Sequence, residues 1–242
     1  MASSSDYVFG CQGIQLSLGG RQILDSISIA VKPGEILGLI GPNGAGKTSL
    51  FEVLCGRYKA SAGEVFIAGE DVSNRSIHGR ARLGVARTYQ SPVVPNAMSI
   101  DEAFRAARFA YAPNKTRFDA EAGARRARFH QPWDMACGAL GTFDRRKLLL
   151  SSLLMRKPKV LLLDEPASGL INSEIDELDL IIREQADEYG IGVILIEHRL
   201  ELLSAIANRV AVLDLGQLIA EGKPDDVFGQ AKVRQAYFSD AQ

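Results

Sequence analysis

The densest group of chemistry-bearing residues is GPNGAGKT at 41–48, which fits G-x-x-x-x-G-K-[ST]. Glycines let consecutive backbone N–H groups turn inward around anionic oxygens. A helix opening behind them adds the positive end of its dipole. Lys47 can then reach β- and γ-phosphates, and the Thr48 hydroxyl can ligate Mg²⁺. The second group is LLLDEP at 161–166. An apolar run that ends in two adjacent acids is costly unless a cation or a reaction needs them. In a protein with a phosphate loop, Asp164 holds Mg²⁺ directly or through water, and Glu165 is placed to polarise an attacking water as general base. The plain alternatives are a turn that binds nothing and acids that cap a strand end. The strand ahead of Gly41 and the pairing of the two motifs weigh against both.

These residues need elements to hold them. Residues 35–40 form a short apolar run bounded by glycines, a buried strand, and residues 48–54 have helical character. Residues 7–40 alternate short apolar segments with turns, and Ile27, Ile29 and Val31 alternate with polar or small residues, so a small β-layer precedes the loop. A hairpin-like element lies around 65–67 and a short strand at 84–89. Residues 99–131, rich in Ala and Arg, form a mostly helical insertion that starts at Asp101 and Glu102 after Ser99. A helix runs from about Arg145 to Arg156. Val160 to Leu163 reads as a central parallel strand. Residues 173–189 form an amphipathic helix with Ile175, Leu178, Ile181 and Ile182 on one side. Gly192 to Ile196 is another strand, 210–220 a hairpin around Gly216, and Pro224 opens a helical tail. Strands alternating with helices predict an α/β fold with a mainly parallel sheet.

The chain has 242 residues, 46% hydrophobic and 24% charged, with a formal net charge of −1. These are ordinary globular values, and they give no electrostatic reason to expect nucleic acid as a partner. Cys11, Cys55 and Cys137 are isolated, without metal-ligand spacing, and fit buried thiols in a reducing cytosol. No signal peptide and no membrane span are read from the sequence. Trp133 is a packing residue, and His78 and His130 are surface residues.

GPNGAGKTS, then Gln90 after a strand, then LLLDEPASGL, then LIEHR, in this order, resemble the ATP-binding subunit of an ABC transporter over essentially the whole chain. LGVARTYQ, IEHRLELL and VAVLDLGQLIAEGKPDDV are similar to subunits that energise branched-chain amino acid uptake systems, a subfamily that also covers amides, urea and some aromatic acids. The resemblance implies one P-loop ATPase domain over 1–242, with an antiparallel β-subdomain near the N-terminus and a helical subdomain over roughly 91–157. It implies ATP and Mg²⁺ as cofactors. Asn43, Gly44, Ala45, Gly46, Lys47, Thr48 and Ser49 would bind the nucleotide. Thr48, Gln90 and Asp164 would hold the metal. Glu165, His198 and Gln90 would be catalytic, His198 through the γ-phosphate and Gln90 by sensing Mg²⁺ and water and coupling to membrane subunits. It also implies transmembrane permease partners, a second ATP-binding subunit, and a place on the inner face of the cell membrane.

Departures from the family pattern carry their own expectations. The family signature, Leu-Ser-Gly-Gly-Gln or a close variant, closes over ATP bound to the partner subunit; here LGTFD stands at 140–144. Phe143 adds bulk and loses positive φ where backbone should approach phosphate. Asp144 would set a carboxylate near the γ-phosphate, a repulsion of roughly 3 kcal/mol at about 6 Å. In the milder alternative Asp144 caps the following helix and Thr142 replaces the hydroxyl. An altered signature favours a heterodimer, although a homodimer is open. Ser168-Gly169-Leu170 leads to Ile171, where the family commonly has Asp after Ser-Ala-Leu. Leu18 falls near the adenine-stacking position, for which Tyr7 or Phe9 could substitute. Two rivals remain, a regulatory module that binds nucleotide with little hydrolysis and a soluble ABC ATPase outside transport.

Overall fold

Continuous apolar runs in this chain become strands buried on both faces. The computed structural model describes residues 6–89, 91, 93–111 and 114–238. It begins with β1 (Phe9–Leu18), β2 (Arg21–Val31), β3 (Ile36–Ile40) and α1 (Lys47–Cys55). β4 (Ala62–Ile67), β5 (Glu70–Asp71), α2 (Ile77–Arg82) and β6 (Val85–Arg87) follow. Next come α3 (Ile100–Tyr111), α4 (Arg117–Arg126), a 3-10 turn at Cys137–Ala139 and α5 (Thr142–Leu154). The rest is β7 (Val160–Asp164), α6 (Asn172–Asp187), β8 (Gly192–Ile196), α7 (Leu200–Ile206), β9 (Arg209–Asp214), β10 (Gln217–Gly222), α8 (Pro224–Phe228) and α9 (Ala231–Phe238).

One sheet is antiparallel, in the order β2-β1-β4-β5. The other has the order β10-β9-β3-β8-β7-β6; its neighbours from β9 to β6 pair parallel, and β10 adds an antiparallel edge. Alternate side chains of the parallel strands serve two cores. Leu37, Leu39, Val160, Leu162, Ile194 and Ile196 pack with α1 and the antiparallel sheet. Ile36, Ile40, Leu161, Leu163, Val193 and Leu195 pack with α6 and α7. Both faces are covered, so these strands show no polar alternation.

A third core joins Ile100, Phe104, Ala120, Ala124, Phe129, Leu148 and Met155, all in the helical stretch between β6 and β7. Ser99 and Glu102 hold the start of α3: Ser99 N–H donates to the Glu102 carboxylate at 2.8 Å, and Glu102 N–H donates to Ser99 Oγ at 3.2 Å. Trp133 stacks on Phe104 with ring centroids 4.8 Å apart, which supplies its packing partner. α4 and α5 touch backbone to backbone at Gly123, where a Cβ would lie 2.4 Å from the Ser151 carbonyl oxygen. α5 has two allegiances: Phe143, Leu150 and Leu154 belong to the core over β7, while Leu148, together with Met155 just past the helix end, belongs to the helical core.

The sequence left α2 and α7 unread. It also began α5 at about Arg145, whereas the helix opens at Thr142. Cys11, Cys55 and Cys137 are buried free thiols, and His78 and His130 are exposed. Among the described residues, no helix is long and apolar enough to cross a membrane.

Parallel pairing sends the carboxyl ends of β3, β7 and β8 to one edge. The register sets Leu39 beside Ile196 and Ile196 beside Asp164. The loop after β3, the acids after β7 and the histidine after β8 therefore emerge together, the edge at which open α/β sheets bind ligands.

Candidate active site

The loop between β3 and α1 is shaped by contact with β9. Gly41 has φ 152°, and a Cβ on it would lie 2.1 Å from the Leu213 carbonyl oxygen, so only glycine fits. Asn43 and Gly44 form an exposed tip. Ala45 is buried, donates its N–H to Pro42 O at 3.2 Å and accepts from Gly216 N–H at 3.1 Å, which ties the loop to the β9–β10 turn. Gly46, in the left-handed region, caps α1 without a side-chain bond. The first N–H groups of α1 thus lack a side-chain cap, the donor set that an anion takes.

Lys47 opens the helix and is 6% exposed. Its Nζ donates to the carbonyls of Gly41 at 2.7 Å and Pro42 at 2.9 Å, which aims the ammonium back over the loop. Burial pulls its pKa below the usual lysine range, and the charges of Glu165 and Asp164 hold it up. The parallel register of β3, β8 and β7 brings the two sequence motifs to one edge of the sheet. Thr48 is exposed and Ser49 half-buried. Gln90, expected at the metal and the attacking water, lies outside the described residues.

Asp164 ends β7 and is 6% exposed. Burial pushes its carboxyl up, opposed by the Arg87 guanidinium, which approaches it to 3.3 Å. Glu165 follows at φ 46°, a left-handed conformation uncommon for a residue with a Cβ. Its Oε1 lies 2.8 Å from His198 Nε2. Beside them is Glu197, 3% exposed, whose carboxylate accepts from Ala167 N–H at 2.8 Å and His198 N–H at 3.3 Å. It fixes the backbones behind both Glu165 and His198, and burial pushes its carboxyl up.

Carboxylate and hydroxyl oxygens from Asp164 and Thr48 are hard donors of the kind Mg²⁺ takes while keeping waters and phosphate oxygens in its shell. A carboxylate paired with an imidazole beside a buried lysine can orient and deprotonate water next to a phosphate.

The altered signature behaves differently from its expected form. Phe143 lies in the first turn of α5, where glycine's access to positive φ is not used, and its ring is 7% exposed in the core over β7. Its bulk points inward. Asp144 does not cap α5; it accepts from Gln131 Nε2 at 2.7 Å and lies 3.3 Å from Lys147 Nζ, a cation it shares with Glu177. Gly141 is the N-cap and supplies no side-chain bond. Arg146 bonds the carbonyls of Pro166 and Ser168, tying this helix to the segment after Glu165. Ile171 is 66% exposed at the N-cap of α6. Phe9 is fully buried, which removes it as an adenine platform; Leu18 is 40% exposed.

Sequence reasoning passed over Arg87, Glu52 and Glu197. A signal was present for each: a charged residue inside an apolar strand or on an otherwise apolar helix is costly without a partner.

This edge of the sheet, with its glycine loop, buried lysine and paired acid and imidazole, defines a nucleotide-hydrolysing P-loop protein. The chain belongs to the ABC transporter family, whose model matches residues 24–168, and is an ATP-binding subunit of such a transporter. It is 29% identical to the high-affinity branched-chain amino acid transport ATP-binding protein BraF of Pseudomonas aeruginosa, over 95% of this chain and 96% of the relative. It is also 29% identical to the protein of the same description, LivG, of Escherichia coli, over 98% of this chain and 100% of the relative. The crystal structure of the ADP conformation of MJ1267, an ATP-binding cassette of an ABC transporter, matches with a TM-score of 0.87 at 25% identity, over 96% of this chain and 98% of that one.

Proposed function

We propose that this chain energises an importer for branched-chain amino acids or related small polar and organic-acid solutes, on the inner face of the cell membrane, as one ABC domain spanning the chain. Residues 43–49 bind ATP; Thr48, Asp164 and Gln90 hold Mg²⁺, whose charge would help neutralise the phosphates. Glu165 takes the proton of the attacking water, and His198 orients that carboxylate and contacts the γ-phosphate. The observation that carries this reading is the 2.8 Å Glu165–His198 contact beside Lys47 and Asp164. The descriptions of BraF and LivG support the solute class.

A groove of about 620 Å³ runs between β6, α3 and α5. It is lined by apolar residues such as Ala103, Ala107 and Leu153 and by the cations Arg87, Arg146, Lys147 and Arg156, of which Arg87 and Lys147 pair with acids of this chain outside the lining. An apolar segment of a permease subunit fits that surface. Nucleic acid is not among the partners. The absence of a hydroxyl cap at Gly141 favours a second reading, a module that binds ATP with little turnover.

The test is ATP affinity and substrate-stimulated ATPase in membranes with the permease subunits. Lys47→Ala is expected to weaken ATP by about 2–4 kcal/mol through lost charge-assisted bonds and to stop uptake. Equal affinities would remove the phosphate-loop assignment. ATP binding without turnover in the full complex would select the second reading.

A further inference from the structure

Pressed against Asp164 is a cation that the proposed chemistry does not use. Arg87 ends β6, and its side chain is 5% exposed. Its Nη2 lies 3.3 Å from Asp164 Oδ2 and 3.0 Å from Glu52 Oε1, and its Nη1 donates to Cys55 Sγ at 3.2 Å. The rings of Phe51 and Tyr89 flank it, with centroids 5.7 Å and 4.9 Å from the guanidinium carbon. One side chain thus joins α1, β6 and β7 at the site.

Glu52 and Asp164 bring two negative charges to this cluster and Arg87 one positive charge, leaving a net of −1. Arg57 is a weaker participant, 3.6 Å from Glu52 and 59% exposed. The cluster is also poorly satisfied: Arg87 Nε and Glu52 Oε2 are buried without a hydrogen-bond partner. Stability alone does not explain such a cluster, because an apolar trio of similar volume holds a core at least as well. The arrangement does confer one property. It sets a fixed cation against a deeply placed carboxylate and so lowers the negative potential that the carboxylate presents.

We propose that Arg87 is the resident counter-cation of Asp164, and that it makes Mg²⁺ and nucleotide depend on each other to a defined extent. The proposal rests on Asp164 as a metal ligand. With Arg87 in place, Asp164 offers Mg²⁺ a partly neutralised carboxylate, so the metal is held firmly only when phosphate oxygens join it. The same cation lessens the repulsion between Asp164 and metal-free ATP. Arg87 touches neither water nor the reacting phosphate in this scheme; it is a positioning residue. With a metal on Asp164, the guanidinium would still pair with Glu52, which sits on the helix that carries Lys47 and Thr48.

The experiment measures the dissociation constant of a fluorescent ATP analogue in EDTA and in Mg²⁺, and takes the ratio. Arg87→Met is expected to weaken metal-free binding and strengthen the metal's contribution, raising the ratio about tenfold or more. Arg87→Lys keeps the charge and is expected to stay within about threefold of wild type. An unchanged ratio in Arg87→Met, with a lower melting temperature, would make Arg87 a stability element and overturn the proposal. Should Arg87→Met not fold, Arg87→Met with Glu52→Gln removes the uncompensated acid and restores the net charge of the cluster. Asp164 is still stripped of its partner there, so the ratio is expected to rise; no rise overturns the proposal. A wild-type chain with a ratio near one overturns both this proposal and the metal role of Asp164, whereas loss of ATP binding altogether strikes the phosphate loop instead.

Discussion

Glu165 occupies a backbone conformation that its side chain does not favour. Left-handed φ costs a residue with a Cβ roughly 1 kcal/mol or more. The surrounding structure holds it there: Glu165 N–H donates to Ile196 O at 2.9 Å, and Ser168 N–H donates to Glu165 O at 3.2 Å. The result is a carboxylate turned back to His198 at the mouth of the site. Glu165→Gln preserves the shape and the strain while deleting the base. It is expected to lower single-turnover hydrolysis by about a hundredfold or more and to leave ATP affinity within about threefold. Rapid-quench hydrolysis alongside a binding titration checks both halves. Undiminished hydrolysis would move the base elsewhere.

At the scale of elements, α6 shows how a helix can be legible in its apolar face and obscure in its charges. Ile175, Leu178, Ile181 and Ile182 are all buried, as their spacing predicts. Asp179 beside them is half-buried, and its Oδ1 has no hydrogen-bond partner. Burial pushes its carboxyl up to about 6; Arg183 and Arg199 oppose this, and Asp176 and Glu197 add to it. The folded pKa is thus above the unfolded value of about 3.9, so the folded state binds the proton more tightly. Stability from this group rises as pH falls through about 6 and is complete below the unfolded value; above 6 the charged form is a liability. Asp179→Asn is expected to raise the melting temperature by about 2–4 °C at pH 7.5, discounted for its partial solvation, with the gain shrinking toward pH 5. Thermal scans at the two pH values decide it, and an equal gain at both would assign the effect to packing. The same contrast runs through the molecule. β3, β7 and β8 are legible because burial on both faces leaves unbroken apolar runs. The phosphate loop is legible because its chemistry is local. α2 and α7 are too short for a period of 3.6 to repeat, and α5 gains its first turn because Phe143 drops into the core. The Arg87 contacts were hidden because residues 52, 87 and 164 meet only through the pairing of β6 with β7 and the packing of α1.

At the scale of the whole molecule, the family resemblance implies a pair of subunits in which the start of α5 and the end of β7 serve different nucleotide sites. In such a pair each ATP would lie between one subunit's phosphate loop and the other's signature. This chain has a full phosphate-loop side and, on α5, the LGTFD side. Its internal bonds narrow what that departure costs. Phe143 is buried, and Asp144 is held by Gln131 and by Lys147, which it shares with Glu177, so repulsion of γ-phosphate is lower than that of a bare carboxylate. What is lost is a serine hydroxyl at Gly141 and a neutral amide at Asp144. Restoring all three family residues would be a poor experiment, because removing a buried phenylalanine costs about 3–5 kcal/mol and would unsettle α5 itself. The informative variant is Gly141→Ser with Asp144→Gln, leaving Phe143 in place. Lys147 then keeps Glu177 at 3.3 Å and is not orphaned. The isolated chain is expected to gain at least about tenfold in ATPase rate, about 1.4 kcal/mol in barrier. With a partner that carries an intact signature, the ATP on Lys47 already faces good donors, and the same variant is expected to add less than threefold at that site. A wild-type chain already fast alone, with no gain from the double variant, would show that the α5 N-terminus suffices as it stands and that the asymmetric pair is unnecessary.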